Sequence, residues 1–177
     1  MLTANEILDM TPIGMVFTVI KTPADTNGET LEMEWTLLPH CDGTPVHVHP
    51  SAKESYTVLE GSLEVNINNK WKQLTTGESV TIAEGTPHTF RNPSGNVTRV
   101  YNTHSPALQI DAYFEDLNKV VHKLSHGSST PLKMNMNAAT HLCMLMKKYK
   151  VEIVSKNPPG FVVSLLNIIG KVRGLKV

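Results

Sequence analysis

Hydrophobic and polar positions alternate in short runs through the first hundred residues, and then the period changes. Met15, Phe17 and Val19 alternate with Val16, Thr18 and Ile20 in a nearly uncharged run, as in a strand covered on both faces. Over 31–38, Leu31, Met33 and Trp35 alternate with Glu32 and Glu34, which predicts a half-exposed strand. Further strands are predicted at 45–49, 54–59, 62–67, 79–82, 87–91 and 97–103. TPADTNGET, LEGS at 59–62, NN at 68–69, TTGE at 75–78 and NPSGN at 92–96 punctuate them with turn residues. Many short strands at roughly ten-residue spacing predict a β-sandwich or barrel.

After Ser105-Pro106 the apolar residues fall at steps of three and four: Ile110, Tyr113, Phe114, Leu117, Val120, Val121 and Leu124. That spacing predicts an amphipathic helix, ended by SHGSSTP. A second helix is predicted over 136–149, with Leu142, Leu145, Met146 and Tyr149 on one face. A third opens at Asn157-Pro158, because Asn caps well and Pro suits the first helical position. Its stretch FVVSLLNIIGKV is apolar around most of its circumference. It is too short to span a bilayer and needs cover on more than one side. The chain therefore divides into a β domain over 1–106 and a helical extension of about three helices over 107–177.

Composition adds little to this and charge adds more. Apolar residues make up 40% and charged residues 18%, which fits a globular chain and not a disordered one. The net charge is zero, so the total carries no nucleic-acid signal. Residues 1–109 hold six Lys/Arg against twelve Asp/Glu, whereas residues 110–177 hold ten against four. The basic residues of the second part are scattered. That favours mutual attraction of the two parts, or of neighbouring subunits, over an acidic partner or a membrane surface. Cys41 and Cys143 match no paired pattern, so a disulfide framework is not expected and a reduced, cytoplasmic setting is. MLTANEILDM lacks a basic and a long apolar segment, so no secretory signal is read there.

The candidate chemistry lies in HVHPSAKE at 47–54. Residues i and i+2 of a strand share a face, so His47 and His49 project together. Glu54 opens the next strand and can face the same cavity. Imidazole and carboxylate together suit a divalent transition metal. His88, in AEGTPHTFRN, is a fourth candidate if the fold brings its strand alongside. By parity Tyr56 and Val58 face inward with Glu54, and Phe90 with His88. Tyr56 is the candidate catalytic or substrate-contacting group. Trp35 is assigned to the core, and Val58, Leu63, Val65, Val80 and Ile82 are available as cavity wall. His122, His126 and His141 are read as structural, His40 as a surface or strand-end residue, and His104 lies at the strand-to-helix junction. Cys41 is read as a small buried thiol. Arg91 and Arg99 fit either a rim site or an outer strand face.

These residues carry a resemblance to the cupin superfamily. Its first motif, G-x5-HxH-x3,4-E-x6-G, is matched by Gly43, His47, His49, Glu54 and Gly61, with a first gap of three residues instead of five. Its second, G-x5-PxG-x2-H-x3-N, is matched by Gly77, Gly85, His88 and Asn92, with Ala83 in place of the proline. The resemblance spans about residues 30–104. It implies a double-stranded β-helix, or jelly-roll barrel, holding one divalent transition metal (Fe, Mn, Zn or Ni) on His47, His49, Glu54 and His88. Three His and one Glu leave up to two open positions on an octahedral ion, as catalytic sites do. Similar cupins include dioxygenases, oxalate-degrading enzymes, isomerases and binding proteins. The apolar interior favours an oxygenase-type enzyme acting on a small organic, aromatic-sized substrate. The alternative is a small-molecule binding or sensing protein without turnover. A homodimer fits the apolar tail, with a membrane surface the less favoured partner. No DNA-binding module precedes the barrel.

Overall fold

The computed structural model describes all 177 residues. Eleven strands form two antiparallel sheets. They are β1 (Ile7–Met10), β2 (Met15–Lys21), β3 (Leu31–Leu37), β4 (His47–Val48), β5 (Lys53–Glu60), β6 (Ser62–Ile67), β7 (Lys70–Thr75), β8 (Ser79–Ile82), β9 (His88–Arg91), β10 (Thr98–Ser105) and β11 (Val154–Ser155). One sheet runs β1-β2-β3-β10-β5-β8 and the other β11-β4-β9-β6-β7. The result is a jelly roll of two separate sheets, not a barrel closed by continuous strand pairing. Three helices follow, α1 (Ile110–Ser125), α2 (Met136–Lys148) and α3 (Gly160–Val172).

Alternation explains the strands that the sequence makes legible. Leu31, Met33, Trp35 and Leu37 of β3 are buried, with the residues between them half-exposed. In the three strands not expected that signal is absent or, in β1, too short and masked by exposed Ile7. β7 buries only Leu74 and is otherwise polar, so its apolar period is invisible. It forms because Asn68 and Asn69 both take positive φ (51° and 63°), the geometry of a two-residue hairpin loop. β1 is short, and β11 has two residues. The third helix begins at Gly160, two residues after Pro158, with Pro159 in the capping position and no side-chain cap. By contrast α2 starts where its cap dictates, since Asn135 Oδ1 accepts from Ala138 N at 3.0 Å.

Two registers position the site. In the six-stranded sheet β10 lies between β3 and β5, setting Asn102 opposite Tyr56 and His104 opposite Glu54. In the other sheet β4 pairs with β9 through His47 and His88. Gly43 allows this approach. Its φ is +73°, and a Cβ there would sit 1.8 Å from the Phe90 carbonyl oxygen, so no side chain fits. Asn92 fastens the same region from below, donating Nδ2 to the carbonyls of Leu37, Leu38 and Asn96 at 2.8–3.2 Å.

The apolar core lies between the sheets and continues into the helices through Ile110, Tyr113, Phe114, Val121, Leu145 and Tyr149. A polar clasp joins α1 to α2. Asp116 accepts from Lys148 at 2.7 Å and from Tyr149 Oη at 2.6 Å, and pairs with Lys119 at 3.1 Å. Partial burial opposes ionisation, but these donors outweigh it and lower the Asp116 pKa to about 2. A carboxyl depressed in the folded state stabilises the fold above its unfolded pKa of about 3.8 and loses that contribution as pH falls toward 2. Asp116→Asn is expected to cost about 1–2 kcal/mol at neutral pH and to flatten the acid limb of stability between about pH 4 and 2. Denaturant midpoints across that range measure it, and an unchanged acid limb would remove Asp116 as its source.

The tail does not cover α3 as its composition asks. α3 packs on α2 through Val163, Asn167 and Gly170, the last against Met144. Phe161 (75%), Leu165 (55%), Ile168 (58%) and Val172 (83%) remain exposed. No helix is long and apolar enough to cross a membrane.

Candidate metal centre

His47, His49, Glu54 and His88 come together in the interior, each no more than 4% exposed, with one ligand atom from each lying within 4.8 Å of the others. Glu54 Oε2 is 2.8 Å from His88 Nε2 and 3.3 Å from His49 Nε2. The His47 ring centroid is 4.3 Å from that of His88 and 5.1 Å from that of His49.

The second nitrogen of each histidine is also tied. His47 Nδ1 donates to Pro45 O at 2.9 Å, and His88 Nδ1 to Thr86 O at 2.8 Å. His49 Nδ1 donates to Glu152 O at 2.7 Å. A carbonyl only accepts, so each Nδ1 carries a proton and each ring turns its Nε2 toward the cluster. The first two partners are local turn carbonyls two residues upstream. The third comes from 103 residues away, in the segment between α2 and β11. That segment is fixed by β11 pairing with β4 and by Lys156 N donating to Val46 O at 2.8 Å. Glu152 is itself anchored, its Oε1 accepting from Gln109 N at 3.0 Å.

Glu54 is held by both oxygens. Oε1 accepts from Asn102 Nδ2 at 2.9 Å and lies 3.2 Å from His104 Nε2, so Oε2 alone is presented to the three imidazoles. Burial opposes its ionisation, but the surrounding imidazoles, His104 first, hold its carboxyl well below the usual range. Burial and the neighbouring histidines push His47 down to about 3. Burial also works against protonation of His49, but the hydrogen bond and charge of Glu54 prevail and raise it.

A cavity of about 160 Å³ opens beside His47, His49 and Glu54. His88 lies behind them and does not line it. The sequence assigned its wall to Val58, Leu63, Val65, Val80 and Ile82, and none of these faces it. Most of them are packed in the core between the sheets. The wall is instead built by Phe17, Trp35 and Phe90 from the strands, and by residues of the helical region such as Phe114, Leu142 and Met146. Trp35 is therefore both core and wall. Phe90 lines the cavity, whereas Tyr56 faces inward beside Glu54 without reaching it. Burial and the Glu54 charge raise the Tyr56 pKa well above the phenolic range, and its hydroxyl makes no well-formed hydrogen bond.

Two site residues escape the sequence reading, Asn102 and His104. Their signal is parity in β10, where Val100, Asn102 and His104 share the buried face. Arg91 and Arg99 are not at a rim site. They pair on the outer face with Glu64 at 2.6 Å and Glu34 at 2.7 Å. A wider surface recess of about 610 Å³ beside Met1, Pro23 and Lys148 holds none of the clustered groups.

Residues 33–104 match the family model described as Cupin domain. Over 63 residues the chain is 35% identical to the HTH-type transcriptional regulator PuuR of Escherichia coli (strain K12), covering 36% of this chain and 34% of that protein. Over 72 residues it is 33% identical to quercetin 2,3-dioxygenase of Bacillus subtilis (strain 168), covering 34% of this chain and 21% of that protein. The chain thus spans about a third or less of the curated relatives it matches. Among solved structures, an RmlC-like cupin from Shewanella frigidimarina NCIMB 400 superposes with a TM-score of 0.52 at 24% identity, over 60% of this chain and 88% of that one. KdgF from Halomonas sp. gives 0.51 at 20% identity, over 60% and 90%. At these identities the likeness concerns the fold.

Proposed function

We propose, from the match of residues 33–104 to the Cupin domain model, that His47, His49, Glu54 and His88 hold one divalent transition metal (Fe, Mn, Zn or Ni) in an oxygenase-type active site. The observation that carries the reading is the tautomer pattern. Three buried imidazoles have their Nδ1 protons committed to backbone carbonyls, so three Nε2 atoms and a carboxylate oxygen converge. In a dry interior such an arrangement is repulsive unless a cation or protons occupy its centre. When bound, the metal supplies Lewis acidity and, as Fe(II), redox chemistry toward O₂.

The chain's own residues do the rest. Backbone carbonyls orient the three rings, and Asn102 and His104 restrict Glu54 to one presenting oxygen. The aromatic wall excludes water and receives a small organic, aromatic-sized substrate. Tyr56, the sequence's candidate catalytic group, stays a neutral phenol behind the cavity and enters as a positioning group beside Glu54. The partial likeness to quercetin 2,3-dioxygenase supports this reading. The second reading, a sensing protein without turnover, is favoured by the likeness to a transcriptional regulator. Residues 1–30 of this chain form two strands and a 3₁₀ turn and no helix-turn-helix. The proposal extends to a cytoplasmic homodimer paired through the exposed α3 face, with the helical extension over 107–177 closing the β domain.

Oxygen consumption by the Fe(II)-loaded chain with a panel of small phenols is the test. Substrate-dependent uptake abolished in His88→Ala is expected. Tight ligand binding without uptake for any of the four metals would replace the enzyme by the sensor. Light scattering tests the dimer, and a monodisperse monomer at high concentration contradicts it.

A further inference from the structure

We infer that His104 Nδ1 accepts a hydrogen bond from a hydroxyl or N–H of the molecule bound in the cavity, so that the site selects apolar, ring-sized ligands bearing a donor near Glu54. The inference rests on the reading of this cavity as the ligand site. Of the four buried imidazoles around Glu54, His104 alone has no backbone carbonyl at Nδ1. Its Nε2 lies 3.2 Å from Glu54 Oε1, and a carboxylate oxygen only accepts, so Nε2 carries the proton. Nδ1 of the neutral ring is then a bare acceptor. It is fully enclosed, in a residue only 1% exposed, and has no partner among the protein's groups.

A buried acceptor without a donor is costly, and native interiors contain few of them. His104 lines the cavity, in contact distance of the His49 and Phe114 rings, with centroids 4.9 and 5.7 Å away. A second unpartnered group points to the same occupant. Trp35 lines the cavity too, and its buried Nε1–H has no acceptor. One acceptor and one donor beside a largely apolar wall suit a hydroxylated ring better than a hydrocarbon or a charged acid. An acid would also meet the Glu54 carboxylate. His104 therefore has two separable tasks: Nε2–H positions Glu54, and Nδ1 reads the ligand.

Titration calorimetry of the metal-free full chain with phenol and with its methyl ether, anisole, separates them. The wild type is expected to bind phenol about tenfold more tightly than anisole, the effect of one buried hydrogen bond. His104→Gln keeps an N–H near Glu54 and places nothing at Nδ1, and His104→Phe removes both nitrogens. Both variants are expected to bind the two probes equally, with anisole affinity within about twofold of wild type. His104→Phe, which also removes the N–H beside Glu54, is expected to weaken metal uptake by about 10–100-fold, and His104→Gln by less. Undiminished phenol preference in either variant overturns the inference, as does a wild type that binds the probes equally or binds neither. A wild type that takes up no metal but retains the phenol preference would sink the metal reading and leave this one standing.

Discussion

His49→Ala is expected to weaken divalent metal binding by at least about a hundredfold, with the fold intact. Loss of partners that merely orient a ligand commonly costs 10–100-fold, and removal of the ligand itself costs no less. His49 is the choice among the four because it joins the two parts of the chain. Its Nδ1 donates to Glu152 O at 2.7 Å and its Nε2 faces Glu54 Oε2 at 3.3 Å. The substitution removes a lone pair from the cluster and releases the segment before β11. Competition against a chromophoric chelator at fixed pH measures the affinity. His122→Ala, on the exposed face of α1, is the control expected to match wild type. Wild-type affinity in His49→Ala would place the metal elsewhere.

Trp35→Ala is expected to lower folding stability by about 3–5 kcal/mol, the usual range for emptying a large aromatic site. Trp35 is 3% exposed and stacks on Phe17 at 4.7 Å between centroids. It also meets Phe90 at 5.2 Å, Tyr56 at 5.7 Å and Phe114 at 6.2 Å. Those four rings come from β2, β9, β5 and α1, so the cavity left behind touches both sheets and the first helix and cannot collapse by one local shift. Leu165→Ala, on the exposed face of α3, is expected to stay within about 0.5 kcal/mol. Denaturant unfolding followed by circular dichroism compares them. A loss below about 1 kcal/mol for Trp35→Ala would mean that the ring hub does not hold the layers together.

These sites differ in how far the sequence reveals them. The candidate ligands are legible because the relevant signal is local. His47 and His49 share strand parity, Glu54 follows one turn later, and His88 sits in a second motif whose glycines mark tight turns. The inward faces of β3 and β5 are legible for the same reason, since alternation is a property of neighbours in the chain. His104 is harder to assign, because its role depends on a β10–β5 register that places it opposite Glu54. Glu152 is not legible at all. Its contribution is a backbone carbonyl, which no side-chain pattern encodes, and it reaches His49 through a two-residue strand. The cavity wall is misassigned from sequence because parity tells which face a residue takes, but not how far along that face the cavity extends. The helices fill the place that the strand residues were expected to line.

The most direct test of the account is metal stoichiometry by elemental analysis of the full chain, stripped by chelation and reloaded separately with Fe, Mn, Zn and Ni. The account predicts saturation at one ion per chain for at least one of these metals, and loss of that ion in His88→Ala. Folded wild-type protein that retains none of the four, or a His88→Ala variant that retains a full equivalent, would contradict it.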